Sequence, residues 1–121
     1  MKNLLIVDDI PQYCDTIEPY LEDDFTIFKA KDLNSAKAII SNNQIEIALV
    51  DIVLDEKNPD NKDGLLLLEW IKKHYPDTKV IIMSAYKDFD FAVEALKLGA
   101  EYFIKKPINP RELLKIIKEI T

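Results

Sequence analysis

Short apolar runs at residues 3–7, 26–30, 46–50, 79–83 and 102–105 punctuate the chain, most of them built from Ile, Val and Leu. Between them lie longer stretches in which apolar residues recur at helical spacing. This alternation predicts five βα units. Strands so apolar must be covered on both faces, which a parallel sheet with right-handed helical crossovers achieves. The pattern therefore predicts a three-layer α/β sandwich.

The first helical stretch spans about residues 11–22, with Pro11 suited to a first turn and Ile17 and Leu21 one turn apart. Pro19 falls inside it and should kink or shorten it. The second helix should start at Asp32 as N-cap, turn Leu33, Ala36, Ile39 and Ile40 inward, and end near Asn42 and Asn43. The third runs from about Asp63 to His74, with Leu66, Leu67, Trp70 and Ile71 as candidate core residues and Pro76 just beyond. The fourth covers about residues 88–98, and Gly99 takes the helix-ending position. The fifth opens at Asn109-Pro110-Arg111-Glu112, an N-cap, a first-turn proline and an acid three residues after the cap. Leu113, Ile116, Ile117 and Ile120 form its buried stripe.

The 121 residues, 48% of them hydrophobic, suffice for one domain with a continuous core. A net charge of −6 opposes broad binding to nucleic acid or anionic membrane, so neither is expected of this domain. The single cysteine, Cys14, excludes an internal disulfide and a thiolate cluster, and as a residue of the first helix it reads as packing. A reducing, cytoplasmic setting fits. The N-terminal apolar run is too short for a signal-peptide core or a membrane span.

In doubly wound sheets the ligand crevice lies at the carboxyl ends of the strands. Asp8 and Asp9 end the first run there, and Asp51 ends Ile47-Ala48-Leu49-Val50. Ionised carboxylates roughly 5 Å apart repel by about 3 kcal/mol per pair at an effective dielectric near 20, so a cation belongs among them. Oxygen ligands favour a hard divalent ion, magnesium where phosphate also binds, with manganese as the alternative. Ser84 and Lys106 follow two further strands in the same way. A carboxylate nucleophile, a hydroxyl donor, a lysine and a metal together make a phosphate site, with Asp51 as the attacking group. Taken alone, an acidic pair after a strand reads as a cap or solvated turn, and Ser84 as a turn hydroxyl. His74, the sole histidine, reads as a solvated helix-end residue.

Here the chain resembles the response-regulator receiver domains of two-component signalling. The resemblance rests on Leu5-Ile6-Val7-Asp8-Asp9, Leu49-Val50-Asp51, Met83-Ser84-Ala85, Gly99-Ala100 and Lys106-Pro107, in the family's order and close to its spacing. It covers essentially all of residues 1–121, and it implies a flavodoxin-like, five-stranded parallel sheet of order 2-1-3-4-5 with five helices. It further implies that Asp51 accepts a phosphoryl group from a histidine kinase or phosphotransfer protein. Asp9, Asp51 and the backbone carbonyl of Val53 would bind magnesium, with Asp8 acting through water. Ser84 and Ala85 would receive the phosphate, Lys106 would pair with it, and Ser84 and Phe103 would form the switch. The Lys106-Pro107 peptide would be cis. Alternation does not choose between Lys105 and Lys106; the adjacent proline and the family register choose Lys106. Phe103, where tyrosine is frequent, lacks a phenol hydroxyl.

Val53 and Tyr86, two residues beyond Asp51 and Ser84, would border the phosphate and tune water access, bulky Tyr86 slowing hydrolysis. The output face would be the fourth helix, fifth strand and fifth helix. Lys87, Lys97, Arg111, Lys115 and Lys118 alternate there with Asp88, Glu94, Glu112 and Glu119, as a salt-bridged homodimer would require. Against the commonest family pattern, the segment from Asp51 to Gly64 is about five residues longer. Asp55 replaces a usual proline, and Glu56, Asp60 and Asp63 add charge. A tolerated insertion explains this, and so does an acidic loop that tunes cation affinity or excludes wrong kinases. A rival of another class is a magnesium-dependent phosphohydrolase of the haloacid-dehalogenase type. Those enzymes need a second acid two residues after the nucleophile, where this chain has Val53. A degenerate receiver that binds a partner without phosphorylation is the third reading, opposed by the intact set Asp8, Asp9, Asp51, Ser84 and Lys106.

Overall fold

The computed structural model describes residues 1–121 apart from Pro11, Glu56, Pro59 and residues 86–88, and leaves the side chains of Tyr13, Cys14 and Phe89 undescribed. The expectations for Cys14, Glu56, Tyr86, Lys87 and Asp88 lie outside the described residues.

Strands and helices alternate as β1 (Lys2–Val7), α1 (Gln12–Leu21), β2 (Phe25–Ala30), α2 (Leu33–Asn42), β3 (Ile47–Asp51), α3 (Asp63–His74), β4 (Lys79–Ser84), α4 (Phe89–Lys97), β5 (Tyr102–Lys105) and α5 (Pro110–Ile120). The strands form one parallel sheet of order β2-β1-β3-β4-β5, the flavodoxin-like arrangement. Successive side chains of a strand point to opposite faces, and the core divides accordingly. Leu5, Val7, Ala48, Val50, Val80 and Ile82 pack with Ala36 and Ile40 of α2, Leu67, Leu68 and Ile71 of α3, and Ala95 of α4. Leu4, Ile6, Ile47, Leu49, Ile81 and Met83 pack on the other side with Ile17 and Leu21 of α1 and Leu113, Ile116 and Ile117 of α5. With both faces covered, the open positions for a ligand are the ends of the strands.

Local chemistry sets the helix boundaries. Asp32 caps α2 by accepting from Ser35 N at 2.7 Å, while the Ser35 side chain accepts from Asp32 N at 3.4 Å, a reciprocal capping box. Asn109 accepts from the N–H groups of Arg111 and Glu112 at the start of α5. Gly99 ends α4 at φ +105°, a conformation that costs other residues a steric penalty. Pro19 does not interrupt α1, which continues to Leu21 before Glu22 N–H donates to Glu18 O at 3.0 Å.

One core assignment needs correction. Leu66 is 52% exposed, whereas Leu65, Leu67, Leu68 and Ile71 are buried and Trp70 is half-buried. Four consecutive leucines leave the helical phase ambiguous in the sequence. The close approach of Gly64 to the end of β3 sets that phase, because it commits the 64–68–71 side of α3 to the sheet.

Candidate functional site

Strand register brings the chemistry-bearing residues to one sheet edge. Val7 lies opposite Val50, so Asp8 continues β1 beside Asp51, the last residue of β3. Asp51 lies opposite Met83, and Ser84 opposite Lys105, so the ends of β3, β4 and β5 reach the same level. One carboxylate oxygen from each of Asp8, Asp9 and Asp51 lies within 4.8 Å of the other two.

Lys106 enters this group directly. Its Nζ donates to Asp8 Oδ2 at 2.8 Å and to Asp51 Oδ2 at 2.6 Å. Its backbone N–H donates to Ser84 O at 2.8 Å, which ties the residue after β5 to the end of β4. The following Lys106-Pro107 peptide is cis. Lys105 is exposed, so the structure distinguishes the two lysines that alternation left equivalent.

The carboxylates are oriented from their other sides. Asp8 N–H donates to Ala30 O at 3.0 Å, and Asp8 Oδ1 accepts from Ile10 N at 2.9 Å. Asp51 Oδ1 accepts from Val53 N at 3.3 Å. Asp8, Asp51 and Ser84 are buried, and Asp9 is half-buried. Ser84 Oγ donates to the carbonyl of the exposed Ala85 at 3.0 Å.

Burial pushes the Asp51 carboxyl up to about 6, and Asp8 adds to the rise; the Lys106 ammonium and the Val53 N–H oppose it without cancelling it. At Lys106, burial works against the charge but the Asp51 and Asp8 carboxylates outweigh it, so its pKa is raised. Lys106 neutralises one of three acidic charges. A compact, oxygen-only donor set with surplus negative charge fits a hard divalent cation.

The remaining predicted residues occupy graded positions. Val53 and Phe103 are half-buried against the core on the α2, α3 and α4 side, while Tyr102 is 40% exposed. Tyr86 lies outside the described residues. His74 packs against Trp70 at the end of α3 remote from Asp63, with ring centroids 5.5 Å apart.

Two residues, Asn61 of the β3–α3 connection and Gly64 of the first turn of α3, have roles that sequence reasoning did not assign. A Cβ on Gly64 would stand 2.0 Å from Asp51 O and 2.6 Å from Ile52 Cα, so only glycine lets α3 start against the strand end. Gly64 N–H donates to Ile52 O at 2.9 Å. Asn61 Oδ1 accepts from both Leu54 N and Asp63 N, each at 3.0 Å. The signal that could have found it is the spacing of Asn61 from Asp63, an Asx turn leading into a helix.

The response regulator receiver domain profile matches residues 4–118. The nitrogen assimilation regulatory protein NtrX of Azorhizobium caulinodans is 35% identical over 115 residues, covering 94% of this chain and 25% of that protein. The response regulator SaeR of Staphylococcus aureus is 33% identical over 122 residues, covering 99% of this chain and 50% of that protein. The chain thus spans between a quarter and a half of these relatives. Among solved structures, a response regulator receiver domain protein from Methanospirillum hungatei superposes with a TM-score of 0.86 at 36% identity, covering 99% of this chain and 93% of the other. The receiver domain of NtrX from Brucella abortus does so with a TM-score of 0.85 at 30% identity, covering 97% and 96%. By sequence and by fold, the chain belongs to the response regulator receiver domains of two-component signalling.

Proposed function

We propose that this receiver domain takes a phosphoryl group onto Asp51 from the phosphohistidine of a sensor kinase or phosphotransfer protein, in a magnesium-dependent reaction, within the cytoplasm. The observation that carries the proposal is Lys106 spanning Asp8 and Asp51, beside Asp9, at the carboxyl edge of the sheet. An Asp51 carboxylate oxygen attacks phosphorus, the bond from phosphorus to the imidazole nitrogen breaks, and the electron pair leaves with the histidine. Lys106 holds Asp51 in place and offsets the charge that arrives. Ser84 and the backbone at Ala85 supply hydrogen bonds to phosphoryl oxygens.

Magnesium, with manganese as a substitute, would be held by Asp9, Asp51 and the Val53 carbonyl, with Asp8 behind a water, and would screen the anionic phosphorus from the nucleophile. The arriving dianion competes with Asp8 for Lys106 and draws on the Ser84 hydroxyl. That biases the position of Ser84, with Phe103 following, and alters the α4-β5-α5 surface. Val93, Leu96 and Tyr102 on that surface are exposed apolar groups, which supports a homodimer or partner contact there.

The test is incubation with magnesium and acetyl phosphate, read by intact mass. One phosphate adduct that is absent from Asp51→Asn supports the proposal. Steady turnover of a phosphomonoester would favour the phosphohydrolase instead, and no adduct would favour a binding module.

A further inference from the structure

On the cation reading given above, the loop between β3 and α3 would supply the Val53 backbone carbonyl as a ligand, yet this loop is longer than the receiver pattern requires. Something must hold the ligand peptide still. We infer that Asn61 is the positioning residue that fixes the Val53 carbonyl for the divalent cation, an inference that rests on the cation reading given above.

The argument starts from peptide planarity. The carbonyl of Val53 and the N–H of Leu54 belong to one rigid unit and point in opposite directions, so orienting one orients the other. Leu54 N–H is held by Asn61 Oδ1 at 3.0 Å. The same oxygen accepts Asp63 N–H at 3.0 Å, the first residue of α3, so the peptide is referenced to a rigid helix rather than to a loop. Asn61 is itself anchored, since its N–H donates to Asn58 O at 3.0 Å.

A second clamp lies on the other side of Val53. Gly64 N–H donates to Ile52 O at 2.9 Å, in a contact too close for any Cβ. Val53 N–H meets Asp51 Oδ1 at 3.3 Å. The two peptide groups that flank Val53 are therefore both tied down, the first to the Asp51 carboxylate and the second, which contains the Val53 carbonyl, to Asn61. Groups that orient metal ligands from behind typically change metal affinity about 10- to 100-fold when removed. Selectivity follows as well, because magnesium demands near-octahedral geometry whereas calcium tolerates irregular, longer contacts.

The test is calorimetric titration of the whole chain with magnesium chloride and, separately, calcium chloride. Wild type, Asn61→Ala, Asn61→Asp and Asp51→Asn are compared. Asn61→Ala is expected to lose about tenfold or more in magnesium affinity and less in calcium affinity, lowering the magnesium-to-calcium ratio. Asn61→Asp keeps an oxygen for both N–H groups and is expected to restore that ratio; its added charge strengthens both ions alike, which makes the ratio the readout. A residue that merely capped α3 would change stability and leave the ratio alone. Magnesium binding that is lost in Asp51→Asn but unchanged in affinity and ratio in Asn61→Ala overturns the role of Asn61 only. Absence of magnesium binding by the wild type overturns that role and the cation reading together.

Discussion

Asp51 should make the metal-free domain less stable as pH rises, which is opposite to the usual behaviour of a paired carboxylate. Its folded pKa is raised from 3.8 to about 6, chiefly by burial. A carboxyl raised in the folded state contributes its full stability below the unfolded value and loses it as pH rises through the folded value. That rise corresponds to roughly 3 kcal/mol between the extremes, and most of the loss falls between about pH 4 and 6.5. Replacing Asp51 by Asn removes the titration while keeping the shape of the side chain. The assay is urea unfolding of wild type and Asp51→Asn across that range, with chelator present. The two proteins should be closest in stability at the acid end, and Asp51→Asn should pull ahead by up to about 3 kcal/mol near neutrality. Adding magnesium at neutral pH should close the gap by stabilising the wild-type fold. A stability difference independent of pH would refute the reasoning, as would a wild type that gains on Asp51→Asn with rising pH. The second result would mean that Lys106 outweighs burial.

The ion pair and the strand-end packing give further expectations. Lys106→Ala leaves two buried carboxylates without their ammonium and should cost about 3–5 kcal/mol in chemical denaturation at neutral pH, with magnesium recovering part of the loss. Unchanged stability would show that the carboxylates had lost no partner of consequence. Gly64→Ala must push backbone at Asp51 and Ile52 aside, with a stability cost of about 1–3 kcal/mol or more and slower labelling by acetyl phosphate. Wild-type labelling kinetics in a folded Gly64→Ala protein would contradict that geometry. Asp32→Ala removes the α2 cap, whose side-chain bonds run to Ser35 and not to the Asp8, Asp51 and Lys106 group, and should cost about 1 kcal/mol while leaving the rate of labelling unchanged.

The fold was legible in the sequence because its signals were redundant. Apolar runs marked every strand, and Asp32, Gly99 and Asn109-Pro110 marked helix ends through chemistry that needs no tertiary context. The candidate site was legible as a cluster as far as it depended on strand ends: Asp8, Asp9, Asp51 and Ser84 each follow an apolar run, and parallel register levels them. Lys106 was harder, since β5 is short and its alternation did not separate it from Lys105. Its backbone bond to Ser84 O and its ammonium contacts with Asp8 and Asp51 place it, and both are tertiary features. The phase of α3 was hidden by Leu65 to Leu68, where every residue is apolar and only the contact at Gly64 decides which of them faces the sheet. Asn61 was less legible for a different reason. Its spacing from Asp63 gives an Asx-turn signal, but Asp55, Asn58 and Asp60 of the same loop are equally turn-forming, and only the fold shows Asn61 joining two N–H groups nine residues apart.

The central claim is that Asp51 is the acceptor of a phosphoryl group, and locating the adduct tests it most directly. The protein is incubated with magnesium and acetyl phosphate, then reduced with borohydride, which converts an acyl phosphate to a primary alcohol and leaves free carboxylates intact. Peptide mass mapping should find the altered side chain at Asp51, with Asp8 and Asp9 unchanged. Reduction at Asp8 or Asp9, or at no aspartate, would contradict the account.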